Sequence, residues 1–390
     1  MAKRVGMEVS IAVSEAAGLA DVDVISAYPI TPQTHIVEHL SELVAEGRLD
    51  AEFVPVESEH TAMSVCIGSA ATGARTFTST SSQGLALMNE VVFIAASLRL
   101  PIVMVVSNRS LSGPLSIWND HSDAMSVRDT GWIQLFADSG QEAFDQVFWA
   151  YRVGEDPRVS LPVMVHIDGF ILSHMVEAIE WVDEGQIKSY LKPFEPVHRL
   201  EPDRPVSMGA FAMPELFTEA KKAQDEALRG AMGVILQGWQ EWGELTGRHY
   251  VPVEGYRSED AEVVLVTMGS MGETACEAVD RMREGGRRVG VVKVRLWRPF
   301  PFDAFREAVS GAKVVVVFDR AISYGGTGGP VSAEVRAALY GEAQRPRVMN
   351  FIGGLAGRDV SPGDFERMVE EALCRSDDRQ ENYEIYGVRG

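Results

Sequence analysis

The chain has 390 residues and is 46% hydrophobic, which suffices for two or three cores because domains of about 100–200 residues are usual. Its formal net charge of -20 excludes the basic footprint of a nucleic-acid-binding protein, and an acidic surface repels anionic membranes. The three cysteines, Cys66, Cys276 and Cys374, are far apart and form no CxxC or Cys/His cluster. We therefore expect no iron–sulfur cluster or other metal in this chain, and no nucleic-acid or membrane partner.

The sequence contains no apolar run of the ~20 residues that a membrane-spanning helix needs. The first stretch, "MAKRVGMEVSIAVSEAAGLAD", lacks the apolar core and the cleavage site of a signal peptide. Both features predict a soluble protein of the cytoplasm.

The first part of the chain alternates helix-like and strand-like segments. The predicted strands are "DVDVISAY", "AEFVPV", "RTFTSTSS", "PIVMVVSN" and "LPVMVHIDGF". The predicted helices are "VSIAVSEAAGLA", "PQTHIVEHLSELVAEG", "SEHTAMSVCIGSAATGA", "GLALMNEVVFIAASLR" and "DQVFWAYRVGE". The run "PIVMVVSN" is apolar throughout, which is typical of a strand buried on both faces of a parallel sheet. The alternation predicts an α/β fold with a doubly wound parallel sheet.

From about residue 181 the pattern changes to the proline-rich "KPFEPVHRLEPDRPVSMG" and a long helical run that begins at "PELFTEA". We expect this segment to wrap back onto a first domain at 1–240, with a linker at 241–258. A second, smaller α/β domain is predicted at 259–375, with "AEVVLVTMGS", "RVGVVKVRLWRPF" and "KVVVVFDR" as strands. The polar tail, 376–390, is either disordered or an arm on a partner.

Four loops of the first domain follow predicted strands, and ligands in open α/β sheets bind beyond the carboxyl ends of strands. These loops are "AYPITPQT", "VESEHTAM", "TSTSSQG" and "SNRSLSGPLSIWNDHSDAMSVRDTGW". Glu59 in the second loop can be explained without any ligand. It is then a carboxylate stabilised by the N-terminus of a helix that Ser58 caps. Arg109 in the fourth is a surface cation, an ion-pair partner of Asp120 or Asp123, or a bidentate clamp for a small carboxylate.

Other polar or glycine-rich segments are ambiguous. Asp120, His121 and Asp123 could hold a metal, but we favour hydrogen bonds that shape the loop. The segment "SYGGTGGP" could hold a phosphate before a helix, yet it lacks the Lys-Ser/Thr ending of a P-loop, so a turn or close packing is favoured. "MGSMG" is a feature of the same kind. The residues alone thus predict a two-domain protein with an anion-binding cleft on the first domain.

The four loops, together with "HIDGFILSH" and "VKVRLWRPFP", resemble the α subunits of pyruvate:ferredoxin oxidoreductases, which are thiamine-diphosphate-dependent 2-oxoacid oxidoreductases. The resemblance covers nearly the whole chain. It implies a transketolase-like pyrimidine-binding domain followed by a smaller domain like the C-terminal domain of transketolase. The family's diphosphate half carries a GDG motif, whereas this sequence has only "IDG".

The resemblance therefore implies a cofactor site shared between chains. A β subunit would hold the diphosphate and Mg²⁺, and γ and δ (ferredoxin-like) subunits would carry [4Fe-4S] clusters that pass electrons to ferredoxin. Coenzyme A would be the co-substrate of pyruvate. Alternatives are the same chemistry on a branched-chain, aryl or dicarboxylic 2-oxoacid such as 2-oxoglutarate or oxalate, or a non-catalytic structural subunit.

The resemblance also assigns roles to single residues. Glu59 matches the glutamate that hydrogen-bonds the pyrimidine nitrogen and so helps remove the thiazolium proton, with Glu57 as the neighbouring alternative. Thr31 and Arg109 match the residues that bind the carboxylate and keto group of the 2-oxoacid. The residues expected to line the cofactor are Pro29, Ile30, Ser82 and Gln83. A pocket closed by Ile30 and Ile117 would suit the methyl group of pyruvate, and a neutral Thr31 argues against oxalate.

Overall fold

The computed structural model describes residues 3–375 and 383–389. In those ranges the strands form a seven-stranded first sheet, a six-stranded second sheet and a two-stranded ribbon. The strands are β1 (Arg4–Glu8), β2 (Val24–Ala27), β3 (Glu52–Pro55), β4 (Thr76–Thr80), β5 (Val103–Asn108), β6 (Ile133–Phe136), β7 (Val163–Asp168), β8 (Val176–Glu180), β9 (Val253–Tyr256), β10 (Val263–Thr267), β11 (Val289–Val294), β12 (Leu296–Arg298), β13 (Val314–Asp319), β14 (Arg347–Ile352) and β15 (Glu384–Ile385).

The helices of the described residues connect these strands. They are α1 (Val9–Leu19), α2 (Thr34–Ala45), α3 (Glu59–Thr72), α4 (Ser82–Leu87), α5 (Asn89–Ser97), α6 (Ser122–Ser126), α7 (Gly140–Gly154), α8 (Glu184–Tyr190), α9 (Pro214–Gly230), α10 (Met232–Thr246), α11 (Met271–Glu284), α12 (Phe302–Ala308), α13 (Pro330–Leu339) and α14 (Pro362–Cys374). Of the helices described, none is long and apolar enough to cross a membrane.

The first sheet has the strand order β12-β6-β7-β5-β4-β2-β3, and its strands are parallel except β12. The central strand β5 is buried on both faces, as its apolar run predicts. Val103 and Val105 face a core shared with α1, α2 and α7, while Met104 and Val106 face a core shared with α3, α4 and α5. The predicted doubly wound parallel sheet is confirmed.

The wrapping segment returns to this core through α10. Trp239 of α10 stacks on Trp149 of α7 with ring centroids 4.8 Å apart, and Trp242 stacks on Phe148 at 5.4 Å. In contrast, α9 buries none of its residues. The helical run predicted as one helix is therefore two, which meet at Ala231. The predicted helix "GLALMNEVVFIAASLR" is likewise divided, into α4 and α5.

The second sheet has the order β15-β14-β13-β10-β11-β9 and is parallel except for β9. The segment 241–258, predicted as a linker, contains the end of α10 and strand β9. Within the predicted polar tail, β15 pairs with β14, whereas residues 376–382 and Gly390 lie outside the described residues.

The first sheet takes its edge strand β12 from the second unit, which is the part of the chain that forms the second sheet. The run "RVGVVKVRLWRPF" is not a single strand, because β11 lies in the second sheet while β12 pairs antiparallel with β6 of the first. Lys293 at the end of β11 also forms an ion pair with Asp138, which follows β6, at 2.9 Å. The second unit thus completes one edge of the first sheet.

Candidate active site

The carboxyl ends of the parallel strands in the first sheet bring four loops to one edge. These loops follow β2, β3, β4 and β5, and they contain every residue predicted for the site. The long loop after β5 runs to α6 and lies across the ends of its neighbours.

Glu59 begins α3, where the Ser58 hydroxyl caps the helix by accepting a hydrogen bond from the Thr61 amide at 3.2 Å. Only 6% of Glu59 is exposed, yet its carboxylate accepts no hydrogen bond from any residue that the structure describes. The backbone at Gly84 packs directly against the Glu59 side chain. A Cβ added at Gly84 would lie only 2.7 Å from a carboxylate oxygen of Glu59. A carboxylate in a largely buried residue, to which no described residue donates, is suited to receive a donor from a ligand.

Glu57 has a different environment. It is exposed, and it accepts a hydrogen bond from the Thr61 hydroxyl at 2.6 Å, which lowers the pKa of its carboxyl group. The hydrogen bond from Thr61 thus occupies the Glu57 carboxylate within the same turn of the chain. Of the two glutamates, Glu59 is therefore the better candidate to bind a ligand.

Arg109 lies beside Thr31. Its Nη1 donates to the Thr31 carbonyl and its Nε to the Ser116 carbonyl, both at 2.9 Å. Burial lowers the pKa of Arg109, and in the described part of the chain no carboxylate lies within 4.0 Å of its guanidinium. The Thr31 hydroxyl likewise has no hydrogen-bond partner among residues 3–375 and 383–389. The contact between the two residues runs through the Thr31 carbonyl, and it leaves guanidinium N–H groups and one hydroxyl available for a small anion.

Ser82 and Gln83 are tied to the long loop. Ser82 has a left-handed φ of 45°, which a non-glycine residue adopts only where its surroundings impose it. Its amide donates to Asp123 at 3.0 Å and its hydroxyl to the Ser110 carbonyl at 2.7 Å. The side-chain amide of Gln83 donates to the Ser112 hydroxyl.

Asp123 is the residue that holds these loops together. Its buried carboxylate accepts hydrogen bonds from the amides of Ser82 and Arg109 and from the side chain of Asn108, at 2.8–3.0 Å. Burial raises the pKa of Asp123 to about 7, although these hydrogen bonds oppose the shift. The hydrogen bonds agree with the interpretation that the acidic loop residues shape the loop. The sequence did not show that one of them anchors both Ser82 and Arg109.

Asp168 of "HIDGF" connects the first sheet to the second unit through its carboxylate. It lies 3.0 Å from Arg320 Nη1, 2.8 Å from His121 Nε2, and accepts a hydrogen bond from the Ser270 amide at 2.9 Å. Burial alone would raise its pKa, but the charges of Arg320 and His121 outweigh burial and hold the pKa well below its usual range. Because Arg320 and Ser270 belong to the second unit, Asp168 fixes that unit against the first sheet.

The glycine-rich segments of the second unit do not form a phosphate site. The amides of Val331 and Ser332, at the start of α13, already donate to Asp319 at 2.8 and 3.0 Å. Burial raises the pKa of Asp319 to about 7. At the start of α11 the Ser270 amide is taken by Asp168 in the same way. Both helix N-termini thus bind a carboxylate of their own chain, which agrees with the favoured turn interpretation.

A groove of about 920 Å³ lies elsewhere, between α9, α10 and the segment after β12. Its charged side chains are largely paired, as Arg298 is with Glu334 at 3.0 Å. The groove includes none of the residues predicted for the site.

Sequence comparison identifies two matching families. Residues 15–237 match the family described as pyruvate flavodoxin/ferredoxin oxidoreductase, thiamine diP-binding, and residues 261–365 match pyruvate:ferredoxin oxidoreductase core domain II. The chain is 48% identical over 358 residues to the pyruvate synthase subunit PorA of Methanothermobacter thermautotrophicus, with 92% of each chain covered. It is 46% identical over 372 residues to that of Thermotoga maritima, with 95% of each covered. The ketoisovalerate oxidoreductase subunit VorA of Pyrococcus horikoshii is 43% identical over 354 residues, which are 90% of this chain and 89% of the relative.

Solved structures share the fold. A 2-oxoglutarate:ferredoxin oxidoreductase from Magnetococcus marinus, with 2-oxoglutarate, coenzyme A and succinyl-CoA bound, matches with a TM-score of 0.70 and 19% identity. The match covers 95% of this chain but 65% of that chain, so this chain spans slightly less than two thirds of its length. A split-gene transketolase matches with a TM-score of 0.53 and 14% identity, over 95% of this chain and 99% of that one.

Proposed function

The chain belongs to the pyruvate flavodoxin/ferredoxin oxidoreductase family, and from this premise we propose that it is the α subunit of an enzyme that converts pyruvate and coenzyme A to acetyl-CoA and carbon dioxide. The observation that carries the proposal is the largely buried Glu59 at a strand end of the first sheet, whose carboxylate accepts no hydrogen bond from the residues that the structure describes. Relatives named pyruvate synthase subunits are 42–48% identical to the chain over most of its length, and the higher of these values exceed the 43% of the ketoisovalerate relative, which supports pyruvate as the substrate.

The site fits the pyrimidine half of thiamine diphosphate. When bound, this cofactor supplies the carbanion that attacks the 2-keto carbon and accepts the electron pair left by carbon dioxide. Glu59 would hydrogen-bond the pyrimidine ring, since no described residue occupies its carboxylate, and the family resemblance assigns it this role. The other residues proposed to line the cofactor are Pro29, Ile30, Ser82 and Gln83.

Arg109 and Thr31 would bind the 2-oxoacid. The guanidinium is held by two backbone carbonyls, so it is oriented before the substrate arrives. Its remaining N–H groups can donate to a carboxylate, and the Thr31 hydroxyl can donate to the same carboxylate or to the keto oxygen. Ile30 and Ile117 would lie against the methyl group and limit the size of the side chain that the enzyme accepts.

We propose that a partner subunit covers this edge of the first sheet. Large apolar side chains are exposed on the loops and helices beside the site, and such patches mark interaction surfaces. They are Tyr28, Leu87, Leu115, Ile117, Trp118, Ile171 and Met175. The partner is a β subunit that holds the diphosphate and Mg²⁺, and γ and δ subunits with [4Fe-4S] clusters carry the electrons to ferredoxin. A cytoplasmic location stays a prediction from the sequence.

The experiment that tests the proposal is purification of the native complex with this chain tagged. Its co-purifying chains should include one with a GDG motif and one with cysteine clusters. The complex should reduce ferredoxin with pyruvate and coenzyme A at least about tenfold more efficiently than with 2-oxoglutarate or ketoisovalerate. The 43% identity to a ketoisovalerate oxidoreductase subunit makes that acid the sharpest competitor, and a preference for it would overturn the substrate assignment.

A further inference from the structure

Three side chains with metal-binding atoms meet at a point outside the proposed catalytic residues. Glu8 ends β1, His35 lies in the first turn of α2, and His174 follows β7. His35 Nδ1 lies 2.6 Å from a Glu8 carboxylate oxygen, and the rings of His35 and His174 have centroids 4.7 Å apart. One ligand atom of each residue lies within 4.8 Å of the others. The pyruvate chemistry proposed above uses none of the three.

The donor set has the chemistry of a transition-metal site. Two imidazoles and one carboxylate are the protein ligands of zinc sites that keep an open position, and of related iron(II) sites. Metal-binding histidines normally have a partner on the second ring nitrogen, and Ser173 Oγ lies 2.7 Å from His174 Nδ1.

We propose that Glu8, His35 and His174 bind a divalent transition-metal ion, for which Zn²⁺ is the best match to the donors. The site is accessible, since the side chains of His35 and Glu8 are 43% and 23% exposed. A site with these three ligands would keep a fourth position open for water. This proposal departs from the prediction that the chain holds no metal, which considered cysteines and short spacings only.

The proposed ion would join three segments that are distant in the sequence. It would tie the start of α1 to the start of α2 and to the turn after β7. The Phe170 ring in that turn contacts His174 at 4.7 Å and Trp118 at 4.8 Å between centroids. Trp118 lies in the long loop after β5, whose Ser116 carbonyl holds Arg109. The ion would therefore stabilise the loop that positions the proposed carboxylate clamp.

The chain offers a matched control on the same helix. One turn further along α2, His39 Nε2 lies 2.8 Å from a Glu15 carboxylate oxygen. This His–Glu pair resembles His35–Glu8, but in the residues described no second histidine belongs to it. A site that needs all three ligands should therefore depend on His174 and be independent of His39.

The test is a titration of the full-length chain, freed of metal by a chelator, with Zn²⁺ against a chromophoric competitor. Wild type should bind one Zn²⁺ per chain. His174→Ala should weaken binding by at least about 100-fold, since loss of an outer partner alone costs about 10–100-fold. Glu8→Gln should weaken it in the same direction, whereas His39→Ala should bind as wild type does. Equal metal-free melting temperatures of wild type and His174→Ala would show that the loss is not one of folding.

Cobalt(II) distinguishes this site from the exposed thiol of Cys374. The proposal expects visible d–d bands without a thiolate charge-transfer band, and their loss in His174→Ala. It is overturned if wild type and His174→Ala bind Zn²⁺ equally, if His39→Ala abolishes binding, or if wild type shows no stoichiometric binding.

Discussion

The two sheets end in similar strand–loop–helix turns, but their polar groups are used differently. In the first sheet, the Glu59 carboxylate and the Thr31 hydroxyl have no partner among the residues described. In the second sheet, the amides at the starts of α11 and α13 are occupied by Asp168 and Asp319. The rule that ligands bind beyond strand ends applies to both edges equally. At these two edges, the candidate site differs from the structural turns because the described chain leaves these polar groups of the site without partners.

The largest effect is expected at Glu59. Glu59→Gln in the assembled complex should lower turnover by about 10²–10⁴-fold, because the amide cannot share a proton with the cofactor as a carboxylate does. Glu57→Gln is the matched control, since this exposed carboxylate already accepts a hydrogen bond from the Thr61 hydroxyl. Steady-state ferredoxin reduction measures both. Near-normal turnover of Glu59→Gln would support the alternative of a non-catalytic structural subunit.

Arg109→Ala should act mainly on substrate binding. Hydrogen bonds to a charged group contribute about 1.5–3 kcal/mol, so KM for pyruvate should rise about 10- to 100-fold. Arg128→Ala, just after α6, is the control, because its guanidinium is paired with Asp129 at 3.4 Å. An unchanged kcat/KM in Arg109→Ala would reject its role as a clamp for the carboxylate.

Asp123 and Asp319 allow a direct comparison of the two edges. Both are buried, both accept backbone hydrogen bonds, and burial raises the pKa of each to about 7. Replacement of either by Asn should cost about 1–3 kcal/mol of unfolding free energy in urea titrations. Only Asp123→Asn should also lower kcat/KM, by about tenfold or more, because the anchors of Ser82 and Arg109 are lost. Equal kinetic effects of the two variants would remove the distinction between the edges.

The smallest effect is expected at His166, a buried residue of β7 whose ring stacks on Phe136. Burial, and then the charge of His121, lower its pKa to about 3. The unfolded chain therefore takes up a proton that the fold excludes, and stability is lost as the pH falls from about 6.5 towards 3, at up to about 1.4 kcal/mol per pH unit. His166→Asn should flatten this slope in urea titrations between pH 7 and 5. Equal pH dependence of the unfolding free energy in wild type and His166→Asn would contradict the conclusion that His166 stays neutral in the folded protein.

The sequence predicted the features that depend on local pattern. Continuous apolar runs marked β5 and β7 as buried strands, and the loops after β2 to β5 indicated the edge where the predicted residues meet. The family resemblance, which the comparisons confirm, supplied the role proposed for Glu59.

Features that depend on distant contacts could not be predicted. In the sequence, nothing distinguishes Asp123 from the other acidic residues of its loop. Its role depends on hydrogen-bond donors from two other segments, which meet it only in the folded structure. Asp168 gained its role from Arg320, which is far away in the chain. The pairing of β12 with the first sheet was not predicted, because an apolar run does not show where the chain passes from one sheet to another.

The position of β12 at the edge of the first sheet affects folding during synthesis of the chain. On the ribosome, β6 emerges long before Leu296–Arg298, so a nascent first sheet has an open edge beside β6. Open edges template pairing with other chains, and partly folded chains of this size aggregate through them. Chaperone binding to the nascent chain should therefore persist until β12 has been synthesised. A truncation before β12 would leave the first sheet without its protective outer strand.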